Sequence, residues 1–251
     1  MKKIVIFNSH LRLSFWVFLS FTGLFTLLSC GAFNSNNPKD IRVLLVGGGS
    51  SHDFDEWYKG SDVRTLESSG IAEVTYTDNT DSIAFFLPEM DVLYLSNNQP
   101  IEDPTVREAI MNFVDAGNGL VLGHAALWYN WSDWPEYNQK LVSGGSRGHD
   151  PYGNFNVTIM NSSHPITEGV KEEFILKDEL YYFEPDPKGP GIKVLAIASA
   201  PGSDESFPSV FTVDHQKGRI VGIALGHDAE SHEISSYQTL LKNAIEWVAN
   251  N

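Results

Sequence analysis

The sequence predicts an α/β fold: a mostly parallel sheet with helices on both faces and a late β-hairpin. The continuous apolar run at 41–46 (IRVLLV) reads as a strand buried on both faces. Helical stretches alternate with such runs as far as about residue 140, the pattern of right-handed βαβ units. Two later runs, 208–214 and 219–225, flank the turn-forming stretch from Asp214 to Gly218 and read as a hairpin.

The elements follow in order. Residues 1–29 read as a lipoprotein signal peptide. Lys2, Lys3 and Arg12 form a basic start, Leu13 to Leu28 is apolar and uncharged, and Leu27-Leu28-Ser29-Cys30 resembles a lipobox, which implies lipidation of Cys30. The apolar run is short for a membrane span, which needs about 20 residues. Residues 30–40 read as a polar tether and 41–251 as the domain. After the strand at 41–46 comes Gly47-Gly48-Gly49, then a helix over 53–69 and strands at 72–77 and 91–96. The segment 103–116 is the clearest helix, with Asp103 to cap it, Pro104 at its first position and Gly117 to end it. Gly119 to Gly123 is a fourth strand, followed at once by His124 and another helical stretch. Residues 154–160 and 192–199 read as further strands, and 235–249 as a closing amphipathic helix.

Composition narrows the function. With 42% hydrophobic and 12% aromatic residues in a chain of 251, one substantial core is expected and disorder is not. A single cysteine excludes a disulfide scaffold and a cysteine-rich zinc or iron–sulfur site. The formal net charge is −15, and loss of the leader deepens it, since three bases and no acid precede Cys30. Nucleic acid is therefore an unsuitable partner, because its phosphates need Lys and Arg. Electrostatic docking to anionic lipid is disfavoured likewise.

In an open parallel sheet, ligands bind beyond the carboxyl ends of the strands. Three strand ends each deliver a histidine: His52 after the first, His124 after the fourth, and His227 after the strand ending at Leu225. Gly47-Gly48-Gly49 matches no dinucleotide or phosphate-loop pattern and reads as a tight turn that lets backbone approach a ligand. His124 stands on a strand-to-helix elbow where a nucleophile would otherwise stand, which speaks against acyl-enzyme chemistry. The segment Gly226-His227-Asp228-Ala229-Glu230-Ser231-His232 is densest in chemistry. A helix there would put Asp228 and His232 on one face. Imidazoles beside carboxylates suit acid–base work, or a divalent metal such as zinc held by His227 and His232, or simply a capped polar loop. Glu179 could act as a base or orient a histidine, and Tyr181 could donate to a substrate oxygen. Trp128, Tyr129, Trp131 and Trp134 crowd the elbow and could stack on sugar rings. His149 sits in a glycine-rich stretch readable as a lid. His215, in the hairpin turn, is expected to be solvated.

Taken together these pieces resemble the ThuA-like family, named for trehalose utilisation. The resemblance rests on Gly-Gly-Gly with His52-Asp53, Gly123-His124-Ala125-Ala126, Gly144-Gly145 with His149, and His164-Pro165-Ile166-Thr167. It continues through Asp178-Glu179-Leu180-Tyr181 and Ala224-Leu225-Gly226-His227-Asp228 with His232, in family order over about residues 41–250. It implies a class I glutamine amidotransferase-like, flavodoxin-like sheet. The amidotransferase nucleophile position holds His124, so no glutaminase activity is expected. The family's association is with sugar catabolism and keto-glycoside metabolism. The expectation is a lipid-anchored protein of the periplasmic face or cell surface of a Gram-negative-type bacterium, acting on a glycoside, disaccharide or keto-sugar by hydrolase, lyase or isomerase chemistry. His124 and His227 would be acid–base residues, tuned by Asp228 and Glu179. His52, His149 and His232 would bind substrate or a divalent metal, and Trp128 and Tyr181 would line the sugar site. The rival expectation is a non-catalytic carbohydrate-binding lipoprotein. Aromatics exposed near the elbow would also allow a homodimer.

Overall fold

A computed structural model describes residues 41–128 and 133–250. The leader, Cys30, the tether, Tyr129 and Trp131 lie outside the described residues. No helix among the described residues is long and apolar enough to cross a membrane.

Eleven strands are described: β1 (Ile41–Val46), β2 (Ala72–Thr77), β3 (Val92–Leu95), β4 (Gly119–Gly123), β5 (Gly144–His149), β6 (Gly153–Ile159), β7 (Glu173–Asp178), β8 (Tyr181–Pro185), β9 (Ile192–Ser199), β10 (Phe207–Val213) and β11 (Ile220–Ile223). Nine form one sheet in the order β2-β1-β3-β4-β11-β10-β9-β6-β7, and β5 pairs with β8 apart from it. The first five are mutually parallel. The expected hairpin, β10 with β11, begins an antiparallel wing that is broader than the hairpin alone, since β9, β6 and β7 extend it. Four successive antiparallel pairings restore the direction of β11 in β7. The carboxyl end of β7 therefore opens onto the same rim as those of β1, β3, β4 and β11.

The sheet is covered on both faces because its central strands are apolar along nearly their whole length, Arg42 at the start of β1 being exposed. In β1, Val43 and Leu45 enter one core with Tyr58 and Leu66, while Leu44 and Val46 enter the other with Ile83 and Ile110. This alternation is the period-two consequence of strand geometry. α5 (Ser235–Ala249) covers the first face. It buries Tyr237, Leu240, Leu241, Ala244, Ile245 and Val248 at three- and four-residue spacing. α2 (Ile83–Phe86), through Ile83, and α3 (Pro104–Asp115), through Val106, Ile110, Phe113 and Val114, cover the second face. The start of α3 is built as the sequence predicts: the Asp103 carboxylate accepts from the Thr105 N–H at 2.7 Å, with Pro104 at the first position.

The structure departs from expectation in four places. The predicted helix over 53–69 opens with wide π-type turns at Asp55–Asp62 before the regular α1 (Val63–Ser68). After His124 a single 3-10 turn, His124–Leu127, replaces the expected helix. The glycine-rich stretch carrying His149 is strand β5, fixed by pairing Ser146 with Phe183 and His149 with Tyr181, and not a lid. Gly144 is required there: its φ is +157° and a Cβ would lie 2.4 Å from the Glu184 carbonyl. His215 is half-buried, its Nδ1 accepting from the N–H groups of Lys217 and Gly218 and its Nε2 facing Asp115 at 3.5 Å.

Candidate metal centre

Four side chains from four distant stretches converge on the rim. His52 follows β1, His124 directly follows β4, Glu179 lies between β7 and β8, and His227 follows β11. Each offers one donor atom, and these atoms all lie within 4.8 Å of one another. Glu179 Oε2 is 3.4 Å from His227 Nδ1 and 3.6 Å from His124 Nε2. Both distances match the edge of a tetrahedron with metal–ligand bonds of about 2.1 Å, which is about 3.4 Å.

Hydrogen bonding sets the protonation. His124 Nδ1 donates to the Ala224 carbonyl at 2.7 Å, so in the neutral ring Nε2 presents a lone pair. His52 Nδ1 meets Ser51 Oγ, which also accepts from the Asn98 amide. Five buried side-chain polar atoms lack a hydrogen-bond partner among the described residues, and three of them are His52 Nε2, His124 Nε2 and His227 Nδ1. Burying a polar atom unpaired costs about 1–3 kcal/mol. Three such atoms converging on one carboxylate form a donor set that could hold a metal ion.

The electrostatics agree. Burial, then the neighbouring His124 and His227, push the His52 imidazole down to about 3, so it is neutral in ordinary solution. Burial alone would raise Glu179, but His124 and His227 outweigh it and hold the carboxyl well below the usual range. Glu179 beside His227 raises that imidazole against the opposing effect of burial. The centre therefore holds an ionised carboxylate beside a neutral His52, while the raised His227 sets a proton in competition with a cation.

His124 is wholly buried, with its ring stacked 4.3 Å from that of Tyr181. Its φ of +25° is unfavourable for a residue with a Cβ and is held by that stacking and by the bond to Ala224. Beside the centre is a cavity of about 210 Å³ lined by His52, Asn98, Trp128, His149, Glu179 and Tyr181, among others. Trp128 stands 5.6 Å from the His149 ring and 5.5 Å from Tyr181. His149 Nδ1 donates to the Asp150 carbonyl at 2.7 Å and stands 3.8 Å from Glu179 Oε1. His52 also borders a second cavity lined by Asp53, Asp55 and Asp78.

Two predicted residues lie outside the donor set, although Asp228 still adds to the charges that raise His227. Asp228 caps the short α4 (Ala229–His232), accepting from the Glu230 N–H at 3.0 Å and from the Tyr152 hydroxyl at 2.6 Å. As the cap it does not share a helix face with His232. His232 does not join His227 in a ligand pair. Its Nδ1 meets Asp62 Oδ1 at 2.6 Å and its Nε2 meets the Gly226 carbonyl at 3.1 Å, so both ring nitrogens are occupied. Sequence reading missed Asp62, Asn98 and the structural use of Asp178. Asn98 was within reach of the strand-end rule, since Ser96-Asn97-Asn98-Gln99 directly follows β3.

Solved structures resemble the whole domain. A ThuA-like protein from Parabacteroides merdae has 24% identity and a TM-score of 0.73, over 84% of this chain and 91% of that one. A ThuA-like protein from Bacteroides uniformis has 21% identity and a TM-score of 0.70, over 83% and 91%. A β-galactosidase from the haloarchaeon Halorubrum lacusprofundi has 12% identity and a TM-score of 0.55, over 83% of this chain but 30% of that one. At these identities the likeness is one of fold. No curated protein matches the chain in sequence. The family described as ThuA, trehalose utilisation, matches residues 42–248, nearly the whole described domain, and the chain belongs to it.

Proposed function

We propose that the protein is a metal-dependent enzyme of carbohydrate catabolism acting on a neutral glycoside, disaccharide or keto-sugar, with a divalent ion held by His52, His124, Glu179 and His227. The observation that carries the reading is the convergence of three unpartnered, buried ring nitrogens on the Glu179 carboxylate. Family membership supports the carbohydrate class. The cavity supports it too: Trp128 and Tyr181 offer apolar ring faces and Asn98 offers polar groups to hydroxyls, while among the described residues no Lys or Arg lines it to hold a phosphate or carboxylate.

The residues divide the work. When bound, the ion supplies Lewis acidity toward a sugar hydroxyl or carbonyl oxygen. Four protein donors fill a tetrahedral sphere, so reactivity calls for an ion that accepts five or six ligands. His124 lies buried behind Tyr181 and serves as ligand, not as proton donor to substrate. His149 is the imidazole that lines the cavity outside the ligand set, so it takes the proton-transfer role. Tyr181 and Trp128 position the ring. The lipobox reading of Leu27 to Cys30 supports an anchor outside the cytoplasm; metabolic palmitate labelling lost in Cys30→Ser is the expected result, and unchanged labelling would rule the anchor out.

The test is elemental analysis of residues 31–251 purified without chelator or histidine tag. Near-stoichiometric divalent metal in the wild type, lost in a His52→Ala, His227→Ala double variant, is expected. No metal above background after supply of zinc, manganese, cobalt or nickel would sink the reading. A carbohydrate-binding lipoprotein would then be favoured by the aromatic wall of the cavity.

A further inference from the structure

Asp178 lies outside the four donor side chains and the cavity lining but contacts the backbone of two donor residues, and its role rests on the metal reading above. Asp178 is wholly buried at the end of β7. A buried carboxylate demands a full set of donors. Asp178 Oδ2 accepts from the Gly226 N–H at 2.8 Å, the His227 N–H at 3.3 Å and the Ser231 hydroxyl. Its Oδ1 accepts from the Glu179 N–H at 2.5 Å. One carboxylate thus binds the backbone of two donor residues that are 48 positions apart in sequence, Glu179 and His227. The Gly226–His227 peptide is gripped from the other side as well, because the Gly226 carbonyl accepts from the Tyr58 hydroxyl at 2.7 Å and from His232 Nε2 at 3.1 Å. Gly226 has φ +134°, and a Cβ there would stand 3.0 Å from the Tyr58 hydroxyl, so the peptide is threaded through a slot with little freedom.

We propose that Asp178 is a positioning residue that fixes the separation of Glu179 and His227, so that their donor atoms are set for a divalent cation before it arrives. A neutral side chain of the same shape cannot do this. In Asp178→Asn the amide nitrogen or oxygen must face donors with half the acceptors gone, and one of the two turns is released.

The test compares wild type, Asp178→Asn, Ser231→Ala and, as a remote destabilised control, Ile110→Ala. Zinc affinity is measured by chelator competition, the cobalt(II) form is followed by its visible spectrum, and thermal unfolding is recorded without metal. Wild type is expected to bind one zinc. Asp178→Asn should bind it about 10–100-fold more weakly, with an altered cobalt spectrum. Ser231→Ala, which keeps the carboxylate but removes one tether, should shift both in the same direction by less, and it carries the test if Asp178→Asn fails to fold. Ile110→Ala should lose thermal stability while keeping wild-type affinity and spectrum. A wild type that binds neither zinc nor cobalt overturns the metal reading, and this inference with it. A wild type that binds, beside Asp178 and Ser231 variants of unchanged affinity and spectrum, overturns the role of Asp178 alone.

Discussion

His232 shows how a single residue can be chemically rich and still lie outside the reaction. Its two ring nitrogens face a carboxylate and a carbonyl, neither of which can donate, so both nitrogens carry protons and the ring is an imidazolium. Asp62, 1% exposed, accepts in addition from the Tyr94 hydroxyl at 2.9 Å and the Tyr237 hydroxyl at 3.1 Å. The pair ties the helix that follows β1 to β3, to the His227 turn and to α5. Removing one partner of a buried pair costs about 3–5 kcal/mol, because the other charge is stranded. His232→Gln should therefore destabilise by that order in urea unfolding at pH 6. The pH dependence has a definite sign. Burial lowers the imidazole, but Asp62 and the Gly226 carbonyl outweigh it, so the folded value is raised. The stabilisation is fully present below the unfolded histidine value of about 6.5 and is lost as pH rises through the folded value. The gap between wild type and His232→Gln should accordingly shrink at alkaline pH. A gap that stays constant from pH 6 to pH 10 would show that His232 acts only by packing.

At the scale of elements, what could be read from the sequence was what local pattern encodes. Val43 to Val46 and Leu120 to Leu122 are continuous apolar runs, and such runs in an alternating chain place His52 and His124 at strand ends on one rim. Ala224-Leu225 before Gly226-His227 carries the same signal for the third histidine. β5 was opaque because Gly144-Gly145-Ser146-Arg147-Gly148-His149 has neither alternation nor β-branched residues, and its order comes from pairing with β8 across the intervening β6–β7 hairpin. β8 was opaque in turn, although Tyr181 and Phe183 alternate inward, because a two-residue connection from β7 leaves little turn signal. Glu179 was legible as a candidate but not as a ligand. Its place beside His124 and His227 depends on the parity of four antiparallel pairings, which no window of sequence reports. The same holds for Asp62 with His232, 170 positions apart.

At the scale of the whole molecule, the four donor residues join segments that start at positions 52, 124, 179 and 227, so they span most of the described chain. An ion bound there would bridge β1, β4, the β7–β8 connection and β11, and no such site exists in the unfolded chain. Binding to the folded state alone stabilises by RT ln(1 + [L]/Kd), about 2.7 kcal/mol at a free ion concentration of 100 Kd. For a domain of this size each kcal/mol moves the unfolding midpoint by about 2–4 °C. The midpoint should thus rise by about 5–11 °C on saturation with the preferred ion and fall back on adding chelator. In Glu179→Gln the apparent rise should largely vanish, since the neutral amide both weakens the donor set and removes the charge that balances the cation. The metal-free variant should also lose some stability relative to the metal-free wild type, because the pairing of Glu179 with His124 and His227 that holds its carboxyl low is lost. Differential scanning calorimetry of both proteins, with and without chelator, separates these effects. A midpoint that is unmoved by ion or chelator in the wild type would mean that the converging histidines do not act as a metal centre, and that Glu179 serves them as counter-charge alone.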